Sequence, residues 1–290
     1  MTVNELKKFA TDVRIETVKC LEARTFGHIG GCLSIADVLT VLYNGELKNI
    51  DPADPKKLDR DMLVVSKGHA GPAVFATLAL KGYFPLDWLP TLCEGGTRLP
   101  SHCDRIRTPG IDASTGSLGQ GLSLANGFAH AAKIKNLKNR IYCLMGDGEI
   151  QEGQIWEAAM YAHQYKLNNL IGIVDWNKKQ IDGTIDECIS LLDIAEKFRA
   201  FGWYAVTVKG DDIEAIQEAF KQVRENQSVC FSCYFTSRSL GSTNARYDSS
   251  IQLEFSVQFQ IRILFFCDSC SFYNFIYIGM FCTAFCRMRQ

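Results

Sequence analysis

Two glycine-framed loops combine the residue types and the spacing needed to bind a metal ion and a phosphate group. They read GDGEIQEG at 146–153 and DWNKKQIDG at 175–183, and the first offers carboxylates but no nucleophile. A Gly-Asp-Gly turn directly after a strand lets the backbone approach a ligand, and a following helix N-terminus favours phosphate. We therefore expect Asp147 to hold a divalent cation. Glu149 is expected to be a solvated carboxylate of the first helical turn rather than a general base.

The second loop supplies a second oxygen ligand. Mg²⁺ prefers octahedral oxygen ligation and is commonly held by one or two protein groups together with substrate phosphates. Asn177 follows Asp147 by about 30 residues, the length of one strand, a crossover helix predicted at about 152–166, and the next parallel strand. A structural interpretation, with Asp147 as a helix cap and Asn177 as a turn residue, explains each residue alone but not their joint placement.

The elements that must position these loops follow from the hydrophobic pattern. Apolar residues at helical spacing predict helices at about 3–23, 35–43 and 213–225, and the second begins with a Ser34-x-x-Asp37 capping pattern. Short runs rich in Val and Ile predict strands at 61–66, 141–146, 169–176 and 202–208. Strands that alternate with helices indicate an α/β fold, with a mostly parallel sheet covered by helices on both faces.

In an open parallel sheet, ligands bind beyond the carboxyl ends of the strands. The two loops above follow strands, and so does KGHAG at 67–71, whereas GIDASTGSLGQG at 110–121 leads directly into an apolar helix. Four such loops at one edge of the sheet predict a single composite site.

The composition favours a globular protein that acts on small molecules. Of the 290 residues, 47% are hydrophobic and 22% are charged, and a formal net charge of −1 provides no basic surface for nucleic acid or an acidic membrane. The N-terminal residues lack the uninterrupted apolar core of a secretory signal, so we expect a cytoplasmic protein. Cysteines scattered singly before residue 229 are expected to be reduced thiols.

The composition changes near residue 229. Residues 230–290 contain no Lys and no His, but they hold more than half of the 18 Phe and half of the 12 Cys. The segment has no regular helical or strand period, and its polar residues argue against a membrane span. We therefore expect a domain at 1–229 and an atypical Cys- and Phe-rich tail at 230–290, whose first residues can still supply one strand.

The tail also contains two Cys-x-x-Cys pairs, at 230–233 and 267–270. Such pairs permit a zinc interpretation, but they are separated by a longer stretch than is usual in zinc ribbons. We therefore do not expect a zinc site.

Gly-Asp-Gly followed at this distance by Asn resembles the motif with which thiamine diphosphate enzymes bind their cofactor and metal. The surrounding sequence resembles the N-terminal half of transketolase from residue 1 to about 229, and this resemblance implies the thiamine diphosphate-binding fold. Six blocks in the family's order are far more specific than Gly-Asp-Gly alone. They are GHIGGCLSIADVL, DRDMLVVSKGHAG, LPSHC, TPGIDASTGSLGQGLSLANGFA, GDGEIQEGQIWEAA and VDWNKKQIDG.

The resemblance implies a ligand set for Mg²⁺ or Ca²⁺. Asp147 and Asn177 match residues that bind the metal through their side chains, and Lys179 matches one that offers its backbone carbonyl. The diphosphate of the cofactor completes the coordination shell. The carbanion chemistry belongs to the cofactor, which the protein positions.

The resemblance also implies cofactor and substrate contacts. Gly116 and Gly148 match glycines that let the backbone approach the cofactor, and Leu118 matches a residue that touches the aminopyrimidine, with Ser117 beside it in the same block. His69 matches a histidine that contacts the diphosphate. His28 and His102 match histidines that hydrogen-bond and move protons at the ketose carbonyl and hydroxyls. Glu152 matches a residue that supports the site from a subunit interface.

The chain also departs from the family. A complete transketolase has a second domain that grips the aminopyrimidine, supplies the activating Glu and binds sugar phosphate, and nothing here corresponds to it. A separate C-terminal partner subunit is therefore implied, together with self-association, because such enzymes build the site across an interface. The Lys- and Gly-rich loop, with its His, that follows the last family strand is absent from 230–290, as expected if the reading frame were lost near residue 229.

Three functions remain open from the sequence. The first is the N-terminal subunit of a split transketolase, which moves a two-carbon ketol group from a ketose phosphate to an aldose phosphate. The second is a related thiamine diphosphate enzyme, such as a deoxyxylulose-phosphate synthase or the α subunit of a 2-oxo acid dehydrogenase. The third is a catalytically silent interaction protein. His102 in LPSHC and the block at 110–121 favour the first.

Overall fold

The structure, a computed structural model, describes residues 1–24, 27–180 and 183–225 and the backbone of residues 231–236. The strands of this part of the chain are β1 (Met62–Val65), β2 (Ile141–Gly146), β3 (Leu170–Asp175), β4 (Lys179–Gln180), β5 (Gly183–Thr184), β6 (Tyr204–Lys209) and β7 (Phe231–Thr236). Five of them form one all-parallel sheet in the order β1-β2-β3-β7-β6, and β4 pairs with β5 in antiparallel orientation.

Helices cover both faces of the sheet. In the described residues they are α1 (Val3–Glu22), α2 (Ile29–Leu33), α3 (Ala36–Val41), α4 (Gly71–Leu80), α5 (Gly121–Ile134), α6 (Gly153–Gln164), α7 (Ile185–Cys188), α8 (Ile194–Ala200) and α9 (Ile213–Glu225). One buried cluster contains side chains of α1, α3, α4 and α9, and a second contains side chains of α5, α6 and α8.

Successive residues of a strand belong to different buried clusters, one on each face of the sheet. In β2, Tyr142 and Leu144 belong to the first cluster, whereas Ile141, Cys143 and Met145 belong to the second. This alternation follows from the pleat of a strand. Because both faces are buried, the strand is apolar throughout, as is typical of a parallel sheet. The prediction of an α/β fold with a mostly parallel sheet covered on both faces is confirmed.

The sheet requires residues on both sides of position 229. Strand β7 lies between β3 and β6, with Ile171 paired to Phe231 and Tyr204 paired to Phe231. The strand expected at the start of the tail is therefore present. The remainder of the tail, including the Cys-x-x-Cys pair at 267–270, lies outside the described residues.

The second predicted helix differs from its prediction. Instead of one helix at 35–43, the structure contains α3 followed by a π-helical turn at Leu42–Glu46. The predicted capping by Ser34 is wrong, because the Ser34 hydroxyl donates to Asp175 Oδ2 at 2.6 Å instead. Asp37 pairs with Arg14 of α1. Tertiary partners have therefore replaced the local cap.

No helix in the described ranges is long and apolar enough to span a membrane. The cytoplasmic location stays a prediction.

Candidate functional site

The predicted loops meet at the carboxyl edge of the sheet. Thr115 Oγ1 donates a hydrogen bond of 2.6 Å to the Val65 carbonyl at the end of β1. The N–H of Gly121, where α5 begins, donates to Ser66 Oγ at 3.1 Å. The loop after β2 is joined to the end of β3, because the Asp147 N–H donates to the last carbonyl of β3 at 3.1 Å. Hydrogen bonds thus connect loops that are far apart in sequence.

Asp147 is buried at this edge, with 2% of its surface exposed. Its carboxylate accepts hydrogen bonds from the Gly148 N–H at 2.9 Å and the Lys178 N–H at 2.6 Å. Burial, followed by the negative charge of Asp175, raises the pKa of Asp147 to about 7. The nearby negative charge disfavours the ionised form of Asp147, so a cation beside Asp147 would offset an existing electrostatic cost.

Asn177 belongs to the same loop network. Its Nδ2 donates to Asp175 Oδ2 at 3.3 Å, and its Oδ1 accepts from the Lys179 N–H at 2.9 Å. The N–H of Lys178, between Asn177 and Lys179, donates to Asp147. In the described residues no three His, Cys, Asp or Glu are grouped to hold a metal ion. One carboxylate, one amide and one backbone carbonyl are nevertheless hard oxygen donors that fit Mg²⁺ or Ca²⁺ when diphosphate oxygens supply the remaining ligands.

A buried ion pair fixes the end of β3. Asp175 Oδ2 accepts from Lys67 Nζ at 2.6 Å and from Ser34 Oγ at 2.6 Å. Lys67 and Asp175 are 1% and 2% exposed. Because the Asn177 amide also donates to Asp175, the ion pair connects the loop after β1 to a predicted metal ligand.

The three predicted site histidines lie close to one another. The ring centroids of His28 and His69 are 5.0 Å apart. A Cβ at Gly31 would lie 3.2 Å from His69 Nε2, and a Cβ at Gly116 would lie 3.0 Å from His102 Cδ2. The absence of a Cβ at these two positions therefore avoids a close contact with the imidazole rings.

These histidines are held in the neutral form. Burial, and then the positive charge of Lys67, lowers the pKa of His69 to about 3. Burial, followed by His102, lowers the pKa of His28, and burial lowers that of His102. A neutral imidazole has one donor and one acceptor nitrogen, which suits hydrogen bonding to carbonyl and hydroxyl groups.

The low pKa of His69 predicts sensitivity to acid. A His whose folded pKa lies below its unfolded pKa contributes stability above about pH 6.5, and this is lost as the pH falls toward 3. When the pH falls from 7 to 5, protonation of His69 in the unfolded chain should lower the free energy of unfolding by on the order of 2 kcal/mol. His69→Asn should remove this loss. Urea unfolding of both proteins at the two pH values measures it, and equal acid sensitivity would contradict the prediction.

Glycines allow neighbouring loops to touch. A Cβ at Gly68 would lie 2.8 Å from the Gly116 nitrogen and 2.8 Å from Thr115 Oγ1. A Cβ at Gly148 would lie 2.8 Å from Gln180 Oε1. Glycine is therefore favoured on steric grounds at position 68 and at position 148, and at position 116 it leaves room for the His102 ring.

The other predicted contacts lie at the surface of this edge. Ser117 and Glu152 are exposed, and Leu118 is 39% exposed. Gly119 has a φ of 83°, and a Cβ there would lie 2.8 Å from Glu152 Cβ. The loop at 116–119 and the start of α6 are therefore adjacent. Their exposure leaves Leu118 and Glu152 accessible to a ligand or another chain.

The expectation that Glu149 is solvated is wrong. Glu149 is 2% exposed, and its carboxylate accepts hydrogen bonds from Ser66 Oγ, from the Gly119 N–H at 3.0 Å and from the Gly146 N–H at 3.1 Å. Burial raises its pKa. The helix-start position predicted exposure, but the loop at 116–121 covers this side chain.

Sequence reasoning also missed Lys67, Asp175 and Ser66. Each is a polar residue at or directly after the end of an apolar strand. That position was a usable signal, because polar groups at the carboxyl edge of a parallel sheet face its ligand site. Their partners could not be predicted, since they lie on other loops.

A family profile described as "Transketolase, thiamine diphosphate binding domain" matches residues 6–244. Because the match covers most of the chain, the protein belongs to the transketolase family and represents its thiamine diphosphate-binding part. The resemblance inferred from the sequence blocks is confirmed.

Individual relatives refine this assignment. The chain is 49% identical over 223 residues to "6-deoxy-6-sulfo-D-fructose transketolase subunit SqwG" of Clostridium sp. (strain MSTE9), covering 77% of this chain and 81% of that protein. It is 42% identical over 223 residues to an apulose-4-phosphate transketolase subunit of Phocaeicola vulgatus, covering 77% and 79%. Both relatives are named as transketolase subunits, and the match spans about four-fifths of each of them.

Solved structures give the same fold. The transketolase from Campylobacter jejuni superimposes with a TM-score of 0.76 at 33% identity. The match covers 81% of this chain but only 38% of that enzyme, so the chain spans well under half of a full-length transketolase.

Proposed function

We propose that this chain is the N-terminal subunit of a transketolase that moves a two-carbon ketol group from a ketose phosphate to an aldose phosphate. Thiamine diphosphate, held with Mg²⁺ or Ca²⁺, would supply the stabilised carbanion that this transfer requires. The main observation that supports this function is that Asp147 and the loop containing Asn177 form one hydrogen-bonded unit at the carboxyl edge of the sheet. A coupled assay of ketol transfer, with and without a separate C-terminal subunit, tests the function.

The metal would bind through Asp147, Asn177 Oδ1 and the Lys179 carbonyl. The geometry supports this assignment in two ways. The Asn177 Nδ2 is engaged with Asp175, which directs the amide oxygen away from that carboxylate. Burial and the negative charge of Asp175 also raise the pKa of Asp147 to about 7, so a bound cation would stabilise the ionised form of Asp147.

The histidines would act on the diphosphate and the substrate. His69 would donate a hydrogen bond to the diphosphate, and His28 and His102 would hold and move protons at the ketose carbonyl and hydroxyls. Their lowered pKa values support the hydrogen-bonding part of this role, because a neutral imidazole donates one hydrogen bond and accepts another. Gly116, Ser117 and Leu118 would line the cofactor, and Glu152 would support the site from the interface.

A second polypeptide would complete the site. Large apolar side chains are exposed around the loop at 116–121 and along α5 and α6: Leu118, Leu124, Met160, Tyr161 and Tyr165. Exposed apolar patches of this kind are typical of interaction surfaces. We infer that this face binds the C-terminal subunit or another copy of this chain, or both.

The two relatives are named for different sugars. One relative is named for 6-deoxy-6-sulfo-D-fructose and another for apulose-4-phosphate. The donor panel of the assay should therefore contain a ketose phosphate, 6-deoxy-6-sulfo-D-fructose and apulose-4-phosphate. The silent-protein alternative depends only on the tail, and turnover with a partner would exclude it.

We propose that the working domain ends near residue 236, after β7, rather than at 229. The chain shortened to 1–236 should be more soluble and no less stable than the full chain, because a segment without an amphipathic period buries no consistent face. Thermal midpoints under reducing conditions measure this. A loss of about 1 kcal/mol, seen as a decrease of about 2–4 °C, would show that the tail packs against the domain. Zinc released on denaturation would contradict our view of its Cys pairs.

A further inference from the structure

Glu149 occupies the junction of three segments that the proposed function places around the cofactor. Its Oε1 accepts from Ser66 Oγ, directly after β1, and from the Gly119 N–H at 3.0 Å. Its Oε2 accepts from the Gly146 N–H at 3.1 Å, at the end of β2. One side chain therefore joins the metal-binding turn to the loop at 116–121.

Ser66 extends this junction to α5. Its hydroxyl donates to Glu149 and accepts from the Gly121 N–H at 3.1 Å. A Cβ at Gly121 would lie 2.2 Å from Ser66 Oγ, so only glycine permits this approach. The start of α5 is thus fixed relative to Asp147 through two side chains.

The carboxylate is matched chemically to these partners. An ionised Glu is acceptor-only, with lone pairs for several donors, and three donors converge on it here. A Gln of the same shape would turn its NH₂ group toward one of those donors. The buried position of Glu149 makes such a mismatch costly, because water does not replace the missing acceptor.

We propose that Glu149 is a positioning residue that sets the spacing between the metal-binding turn at 147–148 and the loop at 116–121. This inference rests on the proposed function, in which those two segments hold opposite parts of thiamine diphosphate. A change in their spacing weakens cofactor binding without removing any group that touches the cofactor.

The test compares Glu149→Gln with Asp61→Asn in the full-length chain. Asp61 is also a buried carboxylate that accepts backbone hydrogen bonds, from Lys48 at 2.9 Å and Arg140 at 2.7 Å. It lies at the opposite edge of the sheet, before β1. Asp61→Asn therefore matches the chemical change and its cost in stability but leaves the two loops in place.

Two measurements are made on each variant. Glu149→Gln should accelerate amide hydrogen exchange at Gly119 and Gly146 and raise the dissociation constant of thiamine diphosphate, titrated with Mg²⁺, by at least about tenfold. Asp61→Asn should change neither exchange rate and should change the dissociation constant less than about twofold. Ser66→Ala, which removes one of the three donors, should give an intermediate effect, so the test does not depend on one variant.

Unchanged exchange at Gly119 and Gly146 in both Glu149→Gln and Ser66→Ala would overturn the inference. So would equal cofactor affinity in wild type and Glu149→Gln, or an equal weakening by Asp61→Asn. Absence of cofactor binding by the wild-type chain would instead contradict the proposed function, and the exchange rates would still decide whether Glu149 holds the two loops together.

Discussion

Asp147→Ala is expected to abolish the metal-dependent binding of thiamine diphosphate. The substitution removes the only carboxylate of the proposed ligand set, and the diphosphate then loses its metal bridge to the protein. We expect the affinity to fall by at least about 100-fold, since even residues that only orient metal ligands commonly contribute 10- to 100-fold. Isothermal calorimetry with thiamine diphosphate, in the presence of Mg²⁺ or EDTA, measures the effect. Binding that is unchanged by the substitution would refute the metal assignment.

The loss of binding should not result from unfolding. Asp147→Ala leaves the N–H groups of Gly148 and Lys178 without their acceptor, so it should lower the thermal midpoint of the metal-free chain. Asp147→Asn keeps an acceptor oxygen for these groups, and its metal-free midpoint should remain close to that of the wild type. Asp147→Asn is the matched variant, because it keeps the side-chain shape but removes the charge, and it should also bind the metal poorly.

The isolated chain is expected to show no ketol transfer above the uncatalysed background, and a C-terminal transketolase subunit should restore it. The chain spans only 38% of the length of the Campylobacter enzyme. The resemblance implies that the residues activating the cofactor belong to the part of such an enzyme that this chain does not match. An incomplete site can bind the diphosphate end of the cofactor but lacks the groups that start the reaction.

The coupled assay should therefore be run with each chain alone and with both together. Addition of the partner to the Asp147→Ala chain is the control, and it should restore no activity if the metal site of this chain is used. Full activity of the isolated chain would contradict the requirement for a partner. Size-exclusion chromatography of the mixture shows whether the two chains form a complex.

Local sequence signals were sufficient for most elements. Apolar periodicity placed α9 at its observed residues and β2 at 141–146, because a helix or strand buried along one face or both needs a regular pattern. The second predicted helix ends at Val41 and continues as a π-helical turn, and its predicted cap is absent because Ser34 donates to Asp175 instead. A local cap competes poorly with a buried charged partner.

The position of β7 required the tertiary structure. Its composition allowed a strand, but nothing in the sequence near 231–236 indicates that it enters the sheet between β3 and β6. Sheet order depends on contacts between strands that are distant in sequence, here β3 and β6 on either side of β7.

The sequence by itself determined the fold class and the family, and it predicted the edge of the sheet at which the proposed site residues meet. These depend on periodicity and on motifs whose residues are adjacent along the chain. Only the tertiary structure decided that Glu149 is buried, that Lys67 pairs with Asp175, and that the site histidines are neutral. Burial and charge pairing depend on segments that meet through space, and a single sequence does not specify which segments these are.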